Sequence, residues 1–190
     1  MTDRRVLTLW NDRGRNEEDT RVLRTASKEV PVPFDAETRS AIAELVAAFV
    51  GRNDASGLAA PQIGIGKRLI VFRNKGFDAQ GNPVGTWTGD ARNYDVLVNP
   101  RITQARGEQV VLAEGCLSCP EVHVEVPRFP EIKVRAWSRE GRRLNLRYTD
   151  FIARICQHEL DHLDGKLIVD YEGPLYVPKN RQPFFDELFR

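Results

Sequence analysis

Apolar residues recur at helical spacing in two stretches of this chain, with strand-like patterns between them. Ile42, Leu45, Val46 and Phe49 form the first stripe, which Asp35 can cap and Gly51 can stop. Phe151, Ile152, Ile155, Leu160 and Leu163 form the second, with Thr149 or Asp150 available at its start and Gly165 at its end. Between the two, Lys67–Arg73, Tyr94–Asn99 (closed by Pro100) and Glu108–Ala113 read as strands. Val122, Val124 and Val126 alternate with His123 and Glu125 as a half-buried strand up to Pro127. Ile132–Trp137 and Leu144–Tyr148, joined across Arg139-Glu140-Gly141, predict a hairpin, and Leu167-Ile168-Val169 a short further strand. Asn74–Asn93, rich in Gly and Asp, predicts a long exposed excursion or loose hairpin, and Val30-Pro31-Val32-Pro33 an extended bend. Strands grouped together, with isolated helices towards each end, predict an α+β fold. The expected architecture is a single domain spanning 1–190, with antiparallel or mixed β-sheets packed around the second helix. An N-terminal helix and a Pro-interrupted tail over 173–190 complete it.

Composition narrows the function classes. A length of 190 residues suits one domain with a sizeable core. Lys+Arg 28 against Asp+Glu 27 gives no basic field of the kind that nucleic-acid binding shows. No apolar run reaches the length of a membrane span. Val6–Trp10 is too short for a secretory core, and Asp3 and Asp12 argue against an organellar presequence. Three cysteines do not all pair within one chain, so a reducing cytoplasm is the expected location. There, a cysteine near a histidine pair reads as a ligand or nucleophile.

The second helix carries the chemistry. In Ile155-Cys156-Gln157-His158-Glu159-Leu160-Asp161-His162, two of the chain's three histidines stand four apart, hence one turn above each other on a helix. Glu159 projects near whatever those imidazoles hold, the arrangement of a hydrolytic metal centre with a glutamate base. A catalytic site needs a third protein ligand. Glu172 is one candidate, although the chain has neither the longer histidine continuation nor, with Met1 as its lone methionine, a Met-turn. Cys116 and Cys119 are the others; three apart, they would face opposite sides of an extended strand, and spacing does not choose between them. Gly115 leaves more room beside Cys116, while Cys156 points away from the histidine face. Upstream, Gln62 is one polar side chain within Gly57-Leu58-Ala59-Ala60-Pro61-Gln62-Ile63-Gly64, and its amide needs a partner.

Three of these segments, Gly57–Gln62, Glu114-Gly115-Cys116-Leu117-Ser118 and Gln157–His162, resemble in order the motifs of peptide deformylase, over roughly residues 20 to 172. The resemblance implies removal of the formyl group from the N-terminal formylmethionine of nascent polypeptides. It implies Cys116, His158 and His162 as ligands of one divalent metal, natively Fe2+, with Zn2+, Ni2+ or Co2+ able to occupy the site. It implies Glu159 as acid/base, Gln62 and the Leu117 N–H as donors to the formyl oxygen, and Gly57 and Gly115 lining the peptide track. The residue types agree. A bound cation brings a water's pKa from about 15.7 to about 7, so hydroxide is available to attack the formyl carbon. An amide and a backbone N–H suit the oxyanion, each worth about 3–4 kcal/mol of barrier.

Phe151 and Ile155 are expected to wall the methionine pocket, and Asp161 to orient an imidazole or pair with a cation, Arg128 being the candidate. The chain departs from the family pattern at Ala55, where glycine is usual, and at Ser56, where an apolar residue is usual. It also departs in the length of the 74–93 excursion and at His123, expected as an exposed strand position. The expectation is a cytoplasmic monomer, with no membrane or sequence-specific nucleic-acid partner. The aromatic tail Phe184–Phe189 is a candidate for ribosome docking but is more simply read as packing on the enzyme's own core. A zincin-like metalloprotease and a catalytically silent binding relative are the rival readings.

Overall fold

The computed structural model describes residues 4–78 and 80–189; Met1–Asp3, Ala79 of the excursion and Arg190 of the tail lie outside the described residues. In chain order the elements are β1 (Trp10–Asn11), β2 (Gly14–Arg15), α1 (Glu17–Leu23), α2 (Ala36–Val50), β3 (Gly57–Ala59), β4 (Leu69–Arg73) and β5 (Tyr94–Arg106). There follow β6 (Val110–Cys116), β7 (Cys119–Arg128), β8 (Glu131–Trp137), β9 (Arg143–Thr149), α3 (Asp150–Leu163), β10 (Leu175–Tyr176) and α4 (Gln182–Leu188). The strands form a two-stranded ribbon β1-β2, a three-stranded sheet β10-β7-β6 and a five-stranded sheet β3-β4-β5-β8-β9. The pairings among these strands are all antiparallel, in agreement with the α+β expectation, and a lone parallel bridge joins Lys28 to Lys67.

Alternation along β4 explains how the five-stranded sheet is packed. Leu69 and Val71 face one way, into a core shared with Ile42, Leu45 and Phe49 of α2. Ile70 and Phe72 face the other, into a core with Ala153, Ile155, Cys156, Leu160 and Leu163 of α3. One helix therefore lies against each face, and all of β4 is buried. The expected caps of α2 are present: Asp35 accepts from Thr38 N at 2.7 Å, and Gly51 stands at its end. Thr149 holds the N-cap position of α3 without a capping bond, and Asp150, at φ 54°, is anchored by its N–H to Pro130 O at 2.7 Å.

Three local expectations are corrected. Pro100 does not end β5, because Asn99 and Pro100 fall in a register shift between Val98 and Arg101, where proline breaks no ladder bond. Pro127 likewise sits one residue inside β7. Leu167-Ile168-Val169 is no strand: Ile168–Asp170 form a 3-10 turn, and Asp170 accepts from Leu167 N at 2.8 Å. The excursion agrees with the expected exposed, loose hairpin, with a bridge between Phe77 and Pro83 and with Trp87 edge-on to Phe49 at 5.4 Å. The tail packs inward, Phe185 being 1% exposed and edge-on to Trp10 at 5.8 Å.

Gly165 terminates α3 at φ +72°, and a Cβ there would lie 2.5 Å from Arg24 O. Both the left-handed backbone and the backbone contact oppose a side chain. Gly165→Ala is therefore expected to lower unfolding stability by about 2 kcal/mol or more in equilibrium urea titration; an unchanged midpoint would contradict this packing.

Candidate metal centre

α3 lies between the sheets, and nearly its whole circumference is buried. Its polar residues therefore face either the core or the cavity beside it. Cys116, at the end of β6, meets His158 and His162 of α3, and a ligand atom from each of the three lies within 4.8 Å of the other two. Cys116 Sγ is 3.3 Å from His162 Nε2. Glu172 is exposed and outside this cluster. Cys156 is buried in the core on the opposite side.

The relation of Cys116 to Cys119 differs from the expectation. A tight turn, Leu117-Ser118, separates them, so they are cross-strand partners in the β6–β7 ladder and not successive members of one strand. Partners of this kind project to the same face. Both pack against the same core. The neighbouring Cys119 thiol, and then His162, draw the Cys116 thiol well below its ordinary pKa against the opposing effect of burial, while Cys119 is pushed up. A sulfur disposed to ionise, with two imidazoles and no fourth protein ligand, fits a catalytic metal site with one position left for water or substrate.

Sequence reasoning missed the residue that holds this set in place. Glu114 accepts from His158 Nδ1 at 2.9 Å, from Arg128 Nε at 3.0 Å and Nη2 at 2.9 Å, and from Arg154 Nη1 at 2.7 Å. Burial alone would raise this carboxyl; the bonds from His158 and Arg128 outweigh it and hold the pKa at about 2. With Nδ1 of His158 engaged, Nε2 is the nitrogen left for a metal. Arg128 also donates to Asp161 at 2.6 Å and to the Tyr171 hydroxyl at 2.9 Å, so Asp161 has the cationic partner expected for it. Two arginines and two carboxylates balance in a region where an unpaired charge would be costly. Only the place of Glu114 beside Gly115-Cys116 hinted at its role in the sequence; Arg154 and Tyr171 gave no signal.

Glu159 is 3% exposed, its Oε2 has no hydrogen-bond partner among the described residues, and burial raises its pKa to about 7. A Cβ on Gly57 would lie 2.3 Å from Glu159 Oε1, so the glycine gives this carboxylate its place. Gln62 accepts from Ala59 N at 2.8 Å, and its Nε2 points to Ser118 Oγ at 3.2 Å and Cys116 Sγ at 3.9 Å. Its amide thus has internal partners and is also aimed at the cluster. These groups surround a cavity of about 450 Å³, lined also by Gly115, Leu117, Phe151 and Ile155 and, at its rim, by Ala55, Ser56 and His123. His123 is exposed on β7 and lies over Gly115, where a Cβ would be 3.0 Å from its Nε2.

A thiol and two helical imidazoles beside a buried glutamate fit the donor set of a mononuclear metal-hydrolase centre. Comparison with known proteins makes the assignment specific. The sequence model of the polypeptide deformylase family matches residues 16–176, and the chain belongs to that family. Peptide deformylase 1 of Bacillus subtilis is 40% identical over 156 residues, covering 82% of this chain and 87% of that protein. The Legionella pneumophila peptide deformylase structure superposes with a TM-score of 0.71 at 30% identity, covering 98% of this chain and 93% of that one. An Acinetobacter baumannii peptide deformylase solved with Met-Ala-Ser bound gives 0.68 at 30% identity, covering 87% and 99%.

Glu114→Ala removes the shared acceptor of two buried arginines and His158. It is expected to destabilise the fold by about 3–5 kcal/mol and to weaken metal affinity by about 10–100-fold, read by denaturant titration and by competition with a chelating dye. Metal affinity equal to the parent's would contradict the role given to Glu114.

Proposed function

We propose that this chain is a metal-dependent amidohydrolase that removes the N-formyl group from formylmethionine at the N-terminus of nascent polypeptides, releasing formate. The observation that carries this reading is the Glu159 carboxylate seated against Gly57 in the cavity that holds Cys116, His158 and His162. Those three residues would hold one divalent ion, natively Fe2+, with Zn2+, Ni2+ or Co2+ as possible occupants. Bound there, the ion supplies a Lewis acid and lowers the pKa of water.

The chain's own residues supply the remaining chemistry. Glu159 takes a proton from the attacking water and returns it to the leaving amine, a role suited to a buried carboxylate with a pKa near 7. Gln62, held by Ala59 N and Ser118, and the Leu117 N–H donate to the formyl oxygen as it gains charge. Gly57 lies on β3 and Gly115 on β6, the edge strands of their respective sheets. Edge strands carry unpaired backbone groups, so an extended peptide can pair between them. Phe151 and Ile155 wall the cavity for the methionine side chain. The A. baumannii relative with Met-Ala-Ser bound supports methionine in the first position.

The same reading places the enzyme in the cytoplasm as a monomer; among the described residues no helix is long and apolar enough to cross a membrane. Phe185 and Leu188 of the tail face its own core, which leaves the 41%-exposed Phe189 for any ribosome contact.

Formate release from a formyl-Met-Ala peptide tests the reading. Glu159→Gln is expected to lower kcat by about 10²–10⁴ with metal content unchanged, and Cys116→Ala to lose the metal. Retained metal and proteolysis in Cys116→Ala would point to a zincin-type protease. Gln62→Leu is expected to lower kcat by about 10²–10³; an unchanged kcat would remove Gln62 from the oxyanion site.

A further inference from the structure

Cys119 is a buried thiol without an assigned task, placed beside a sulfur that has one. It faces Cys116 as a ladder partner across the Leu117-Ser118 turn. Ladder partners have Cα atoms about 4.5–5.5 Å apart, inside the range of roughly 4.4–6.8 Å that a disulfide spans. Both thiols point to the same side and pack on the same core. Both also line the cavity, which a molecule as small as a hydroperoxide can enter. Cys156, the remaining cysteine, is buried in a different core and does not line the cavity.

We infer that Cys116 and Cys119 form a reversible disulfide site, closed by hydroperoxide, that removes the sulfur ligand from the metal centre and protects it from irreversible oxidation. In the first step hydrogen peroxide transfers an oxygen to the Cys116 thiol: the O–O bond breaks, sulfur loses two electrons, and sulfenic acid and one water form. In the second, the Cys119 sulfur attacks the Cys116 sulfur: the S–S bond forms, the S–O bond breaks, and the hydroxyl leaves as water with the Cys119 proton. Two thiols and one peroxide thus give a disulfide and two waters. Without a neighbouring thiol, a sulfenic acid exposed to more peroxide proceeds to sulfinic and sulfonic acids, which thiol reductants do not reverse. The effect on the metal rests on the ligand role proposed for Cys116; formation of the disulfide does not.

The test uses the full chain loaded with zinc, which is redox-inert, so that oxidation is confined to protein. After peroxide, trypsin places Cys116 and Cys119 together on Gly107–Arg128 and Cys156 on Ile155–Lys166. The expected result is a loss of about 2 Da from the first peptide, release of zinc to a chelating dye, and recovery of mass and zinc binding after dithiothreitol. In Cys119→Val the same peptide should instead gain about 32 or 48 Da, which dithiothreitol does not remove. A wild-type peptide that gains oxygen without losing 2 Da, a disulfide to Cys156, or a Cys119→Val protein that recovers as fully as the parent would overturn the inference. If the variant fails to fold, the wild-type peptide mass decides alone. If the chain never binds zinc, the ligand assignment fails while the mass still reports on the disulfide.

Discussion

A single buried carboxylate ties the histidine-bearing helix α3 to the sheet that carries Cys116. Glu114 is 7% exposed on β6, yet accepts from Arg128 of β7 and from Arg154 and His158 of α3. A charge in that position is tolerable only because cationic donors occupy both its oxygens. The same bonds fix where α3 sits against the hairpin, and so how far His158 and His162 stand from Cys116. Stability and site geometry therefore rest on one set of contacts.

That anchoring explains why the centre is built from two kinds of element. The helix alone supplies imidazoles one turn apart and the glutamate between them, but no third ligand within reach. The β6–β7 turn supplies the sulfur, and the edge strand β3 supplies the glycine against which Glu159 rests. A cavity flanked by two sheet edges results, with polar chemistry at its base and apolar residues of α3 along one wall. The function proposed for the chain follows from this placement more than from any single residue, since each group by itself also has an ordinary structural role.

Much of this was legible in the sequence because it is encoded locally. The two helical stripes, the Asp35 cap, the hairpin before α3 and the alternation of Val122, Val124 and Val126 all depend on neighbours a few positions away. Pairing of Asp161 with Arg128 also agrees with the expectation. What escaped depends on long-range context. Pro100 looked like a stop because the compensating register shift lies in its pairing with β8. Cys116 and Cys119 looked opposed because a strand and a tight turn share the same three-residue spacing. Glu114 and Arg154 are forty residues apart in the chain, and no local pattern signals a contact over that distance.

The account depends on one thiolate sulfur and two imidazole nitrogens binding the same ion, and X-ray absorption on the metal-loaded protein reads that donor set directly. It predicts one sulfur and two imidazole nitrogens on the metal, with oxygen or nitrogen completing the set. A spectrum with no sulfur, or with two, would contradict the centre described for Cys116, His158 and His162.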